Sequence, residues 1–198
     1  KEQPLMYNEN QQYIHYNKGS LVLYALSDYI GEKNMNAALK TYVQKVAFQD
    51  APYTTATELV GYLNQATPDS LKYLIHDMFE TITLYDNKVV EVKSKALKNG
   101  KYEVTFEVEV AKYHSDDQGK RIFKDASGKT LTFKTATKDV VNSLPLQDYI
   151  EIGVFAQDEK TKKEKVLYLV KRKITQIDNS NFHHCSFRRN KSRDKLWI

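Results

Sequence analysis

One cysteine, Cys185, occurs in 198 residues, so no disulfide forms within the chain and cysteine usage leaves the redox compartment open. No apolar run approaches the roughly 20 residues that a bilayer-spanning helix needs, and the opening Lys1-Glu2-Gln3-Pro4 lacks the pattern of a signal peptide. Neither absence fixes a location. Long blocks of one charge sign are nearly missing too. Lys and Glu interleave along most of the chain, as on a solvated surface, and only Arg188-Arg189-Asn190-Lys191-Ser192-Arg193 is a basic cluster. The formal net charge of +5 therefore does not by itself indicate an anionic partner. No recognisable motif interleaves basic residues with exposed aromatics, which argues against nucleic acid as a ligand.

What is present is an ordinary globular composition, with 41% hydrophobic and 28% charged residues, long enough for one large domain or two small ones. The first eighty residues carry helical punctuation. A helix is expected from about Tyr16 to Ile30, with Gly31 as the residue that tolerates a left-handed C-terminal cap. Asn34 is expected to cap the next helix, whose apolar face is Met35, Ala38, Leu39, Tyr42, Val43 and Val46 at three-four spacing. Thr55 and Glu58 have capping-box spacing ahead of Leu59, Val60, Tyr62 and Leu63. Thr67-Pro68-Asp69 then offers a cap, a proline at the first helical position and an acidic first turn. The face that follows is Leu71, Leu74, Ile75, Met78 and Phe79.

Beyond Thr81 the hydrophobic period changes from near 3.6 to 2, which marks the best boundary in the chain. Tyr102, Val104, Phe106, Val108 and Val110 alternate with Glu103, Thr105, Glu107 and Glu109, the pattern of a strand with one wet face. Asn99-Gly100 separates that strand from Val90, Val92, Ser94 and Ala96 and predicts a hairpin. Further strands are expected around 121–123, 131–135, 148–155 and 165–173, with turns at 125–128 and 158–163. Short strands with polar turns and no intervening helix predict an antiparallel sandwich. The fold class is therefore α+β, with helical unit 1–81, β-sandwich 82–187 and basic tail 188–198. After Ile177 the alternation weakens, and Cys185, Trp197, His183-His184 and Arg188, Arg189 and Arg193 crowd the close of the chain. That tail is read either as a disordered extension or as sequence not native to the domain, for instance through a reading-frame change.

Tyr16-Asn17-Lys18-Gly19 opens the first long apolar helix and places one phenol at its mouth, a sensible position for a fixed hydrogen-bond donor. From about Gln11 to Phe79, through Gly31-Glu32, Ala38-Leu39, Tyr42 and Phe48, order and spacing resemble the aminopeptidase N family of zinc metallopeptidases. These are gluzincins, a group that also includes the leukotriene hydrolases. The resemblance implies that the helical unit is the end of a thermolysin-like catalytic domain and that a β-sandwich follows it. It also implies that Tyr16 donates its phenol hydrogen bond to the oxyanion of the tetrahedral intermediate. A preorganised donor of that kind contributes about 2.7 to 4 kcal/mol in the transition state.

The family's zinc site is a His-Glu-x-x-His helix with a further downstream Glu, all preceding the Tyr. No His-Glu pair occurs in this sequence. The chain is accordingly expected to be a C-terminal fragment, inactive alone. The Zn2+ ligands, the free-amine recognition and the proton-shuttling Glu would then lie in the upstream catalytic region of the same polypeptide. In the intact enzyme the zinc would polarise the scissile carbonyl and activate water. The expected partner is a peptide substrate, and bacterial relatives fused to a transporter-like region suggest a membrane anchor upstream. One residue departs from the family: Asn17 stands where Glu is common, beside the catalytic position rather than at it.

Blander readings accompany each candidate. A tyrosine at a helix start also packs as core. Lys18 reads as a solvent-facing first-turn residue, Gly19 as an allowance for close packing, and His15 as a structural histidine. His183-His184-Cys185 has metal-ligand composition, but neighbours on a strand face opposite ways. Asp116-Asp117 lacks calcium-loop spacing and reads as a solvated turn. The rival to the enzyme reading is a non-catalytic helical plus β-sandwich module that binds a protein.

Overall fold

In the computed structural model the described residues are 1–97, 101–124, 130–131, 147–158, 161–174, 182–190 and 195–197. They form a mixed α+β chain with two compact units. One is built on Lys1–Thr83 with His114–Phe123, the other on Leu84–Tyr113 with the strands from Tyr149 onward.

The first unit carries helices α1 (Gly19–Ile30), α2 (Glu32–Val46), α3 (Ala56–Ala66) and the short α4 (Tyr73–Ile75). A π-helical turn, Tyr13–Lys18, runs directly into α1, and another, His76–Glu80, follows α4. The core takes Leu26 and Ile30 from α1, Met35 and Ala38 from α2, Val60 and Leu63 from α3, then Ile75 and Phe79. Each large apolar side chain buried there contributes about 1.5 to 3 kcal/mol relative to exposure. The three-four spacing of α2 overreached at its far end, because Val43 lies in solvent. Of the last predicted face, Leu74, Ile75 and Phe79 are buried while Leu71 and Met78 flank the core.

Capping differs from expectation in instructive ways. Gly31 joins α1 to α2 with φ 86° and ψ 141°, a positive φ as predicted but an extended rather than left-handed helical ψ. Its N–H donates to the Ser27 carbonyl at 2.8 Å and its own carbonyl accepts from Asn34 and Met35. That backbone region is essentially closed to L side chains. Gly31→Ala should therefore cost about 1 to 3 kcal/mol, read as a fall in the denaturation midpoint, although a Cβ there would meet no neighbour. Asn34 lies inside α2, and its Nδ2 donates back to the Ile30 carbonyl at 2.8 Å, closing α1 instead of opening α2. Thr55 caps α3 as expected, its hydroxyl accepting from Glu58 N–H at 3.4 Å. The Glu58 carboxylate is taken by the Thr54 hydroxyl at 2.8 Å, so the box is only half made. Thr67 is the C-cap of α3, its hydroxyl donating to the Leu63 carbonyl at 2.7 Å, and it does not start the next helix.

Asp69, in the short turn Asp69–Leu71, pairs with Lys72 at 2.6 Å. Hydrogen bonding and charge from the Lys72 ammonium hold its carboxyl below the usual carboxylate range. A depressed pKa contributes stability above the unfolded value, lost as pH falls through the folded one. Lys72→Ala should shift the NMR titration of Asp69 upward toward the ordinary range, and an unmoved titration would contradict the pairing.

The second unit contains long strands β1 (Thr83–Ala96, whose first residue belongs to the helical unit) and β2 (Lys101–His114, whose last residue does too). After β3 (Phe123–Lys124) and β4 (Thr130–Leu131), which apart from Lys124 belong to the first unit, come β5 (Tyr149–Gln157), β6 (Glu164–Lys173), β7 (Phe182–Asn190) and β8 (Lys195–Trp197) of the second. Sheet order is β1-β2-β7 in one sheet and β6-β5-β8 in another, and β3 pairs with β4. β7 runs antiparallel to β2 with Phe106 opposite Cys185, and β6 runs antiparallel to β5 with Gly153 opposite Leu169. The close of the chain thus lies partly in strands. The predicted Asn99-Gly100 and 125–128 turns fall outside the described residues, whereas the turn after β5 is closed by Asp158 N–H to the Lys163 carbonyl at 3.0 Å.

Alternation on β2 is as predicted: Val104, Phe106, Val108 and Val110 are buried, and with Ile152 and Val154 of β5 they make one apolar cluster. The valines of β1 do not follow the reading of strand apolars as core, since Val89, Val90 and Val92 are exposed.

Candidate functional site

Tyr16 lies in the middle of the π turn Tyr13–Lys18 and is 67% exposed. Such turns widen a helix locally and recur at functional sites. No hydrogen bond to its hydroxyl is made among the described residues. Three polar neighbours on the turn, Tyr13, His15 and Lys18, are tied down. The Tyr13 hydroxyl donates to the Lys1 carbonyl, and Lys18 Nζ contacts Glu2 Oε1 at 2.7 Å and the Gln3 carbonyl at 3.1 Å. His15 Nδ1 faces Asn8 Nδ2 at 3.1 Å. Ile14 is fully buried and anchors the turn from below.

The segment that receives these contacts is itself held. Glu2 N–H donates to the Asp117 carbonyl at 3.1 Å, and Lys1 pairs with the Asp117 carboxylate at 2.8 Å. That carboxyl is held below its usual range by the Lys1 hydrogen bond. Lys18 is thus no free solvent-facing residue: its side chain is only 24% exposed and is spent on the 1–3 segment. Gly19 is buried with φ −60°, and a Cβ there would meet Leu5 Cδ1 at 3.6 Å and the Ile14 carbonyl at 3.7 Å. Those are ordinary contacts, so close packing does not require glycine at that position.

The arrangement is chemically simple. One phenol O–H projects from a helix start where the Tyr13, His15 and Lys18 side chains are already occupied. Such a group donates one hydrogen bond to a negative oxygen brought to it.

Other sequence candidates fall elsewhere. Asp116 Oδ1 accepts from Gln118 and Lys120 N–H, both at 2.9 Å, in a turn that Gly119 completes with φ 78°. His183, His184 and Cys185 stand opposite Val108, Glu107 and Phe106 in the β2–β7 register. Among the described residues no group of three or more His, Cys, Asp or Glu side chains is placed to share a metal ion. No described helix is long and apolar enough to cross a membrane.

Two features were not anticipated from sequence. Asn8, as the partner of His15, has only its turn-like setting to signal it. Lys112 continues the buried face of β2 by one step of two, and its Nζ meets Asp148 Oδ2 at 3.0 Å with side chains 2% and 4% exposed. No protein-family model matches the chain, and neither a curated protein nor a solved structure matches it.

Proposed function

We propose that this chain is the C-terminal helical part of the catalytic domain, with the following β-sandwich, of a zinc-dependent aminopeptidase, and that Tyr16 stabilises the tetrahedral oxyanion during hydrolysis of N-terminal peptide bonds. The observation that carries the reading is the Tyr16 hydroxyl, exposed and without a hydrogen-bond partner among the described residues, on a turn where His15 and Lys18 are hydrogen-bonded. A donor held in place before the charge develops avoids reorganisation at the moment of reaction, which is how such groups lower a barrier.

The sandwich reading draws on the single apolar cluster shared by β2 and β5, which belong to different sheets. Two inner faces meeting over one core is the arrangement of that architecture. The described residues do not supply a zinc-ligand set, so on this reading the Zn2+ ligands and the proton-shuttling carboxylate belong to the upstream catalytic region. This chain's own part is to position the phenol at the helix start. The peptide substrate would be bound jointly with upstream residues, and any membrane association would come from an upstream anchor.

The test is a longer polypeptide from the same gene. It should bind zinc stoichiometrically and cleave an N-terminal aminoacyl substrate, with activity lost on chelation and restored by zinc. Cleavage unaffected by chelation would contradict the reading.

A further inference from the structure

The turn that presents Tyr16 contains a hydrogen bond whose polarity is fixed by its neighbours. Gln11 N–H donates to Asn8 Oδ1 at 3.2 Å, which settles the oxygen end of that amide. The amide nitrogen, Nδ2, therefore faces His15 Nδ1 at 3.1 Å. An amide nitrogen donates and does not accept. His15 Nδ1 must then be the acceptor, and the imidazole proton is on Nε2. The same imidazole lies against the Tyr16 ring, with centroids 4.7 Å apart and planes inclined by 54°. Adjacent side chains on an α-helix do not face each other. The wider π turn brings these two together.

We propose that Asn8 and His15 are positioning residues for Tyr16: Asn8 fixes the tautomer and orientation of His15, and the imidazole holds the phenol ring so that its hydroxyl keeps one direction. The inference rests on the reading of Tyr16 as an oxyanion donor, for which a side chain held to within about 0.5 Å is worth far more than a swinging one. Sequence alone shows His15 beside Tyr16, but the amide that orients it comes from seven residues earlier.

Nitrogen-15 NMR of the labelled chain reads the tautomer without any activity. His15 is expected to carry its proton on Nε2, with Nδ1 bare. Asn8→Asp keeps an acceptor for Gln11 N–H and offers a second one to the ring. It should put a proton on His15 Nδ1 and move the Tyr16 ring resonances while those of Tyr24 and Tyr53 stay in place. A wild-type proton on Nδ1, or Tyr16 resonances indifferent to Asn8→Asp, overturns the inference. In the intact enzyme Asn8→Ala should lower kcat several-fold with KM held, and should have no further effect in a Tyr16→Phe background. Equal losses in both backgrounds would show that Asn8 does not act through Tyr16 and would also overturn it. Because the NMR arm needs no turnover, failure of the oxyanion reading, seen as unchanged kcat in Tyr16→Phe, is told apart from failure of this inference.

Discussion

Lys112→Met should lower the unfolding free energy by about 3 to 5 kcal/mol, a large share of the stability of a domain this size. The ammonium of Lys112 and the carboxylate of Asp148 are 3.0 Å apart, with side chains 2% and 4% exposed. Taking the cation away leaves the carboxylate buried with two hydrogen-bond donors among the described residues, the Tyr85 hydroxyl at 3.2 Å and Gln147 N–H at 3.3 Å. Two neutral donors do not replace a charge in a dry site. The same residue's backbone carbonyl accepts from Ile174 N–H at 2.8 Å, so the ends of β5 and β6 are disturbed together.

Removing both charges is a different experiment. Paired burial carries a desolvation penalty close to its Coulombic gain, so Lys112→Met with Asp148→Leu should recover most of the loss and can exceed wild type by about 1 to 4 kcal/mol. Urea unfolding of the two single variants and the double variant, with the slope unchanged, checks this. A single variant within about 1 kcal/mol of wild type would contradict the account of that pair.

That pair also shows where sequence reading stops. The period-2 pattern of β2 is legible because Val104, Phe106, Val108 and Val110 share one buried face, and the structure buries all four. Lys112 is the next residue on that face, but a lysine ends an apolar pattern on paper. Only the arrival of Asp148, from 36 positions along the chain, makes its burial affordable. Local chemistry shows the same division. Gly31 and Thr55 were readable as caps because their function depends on their own backbone or on a residue three positions away. Asn34 was misassigned, since an amide that serves the following helix and one that serves the preceding carbonyl look alike in sequence.

The position of Tyr16 at the mouth of the first long helix was legible from the residues that surround it. The π turn was not, and neither was the role of Lys18. Both depend on Lys1, Glu2, Gln3 and Asn8 folding back on the turn, and those residues carry no motif of their own. The exposure of Val89, Val90 and Val92 on β1 was equally hidden, because a valine's β propensity says that it fits a pleated strand, not which surface covers it.

The second large effect belongs to Tyr16 itself. Phenylalanine keeps the ring, its contact with His15 and the packing of the turn, and removes only the hydroxyl that lacks a hydrogen-bond partner among the described residues. Fold stability should therefore hardly move, since no described hydrogen bond is lost. On the proposed function, catalysis should move a great deal. If the hydroxyl meets the oxyanion only as charge develops, its loss appears in kcat and kcat/KM alike, with KM little changed. Removing one oxyanion donor typically costs a factor of about 10² to 10³ in kcat.

The most direct measurement of the proposed function is steady-state hydrolysis of an aminoacyl substrate by the longer polypeptide that the proposal calls for, carrying Tyr16→Phe, with zinc content and thermal midpoint confirmed equal to wild type. The account predicts a fall in kcat of about a hundredfold or more at nearly constant KM. A kcat close to wild type would contradict it.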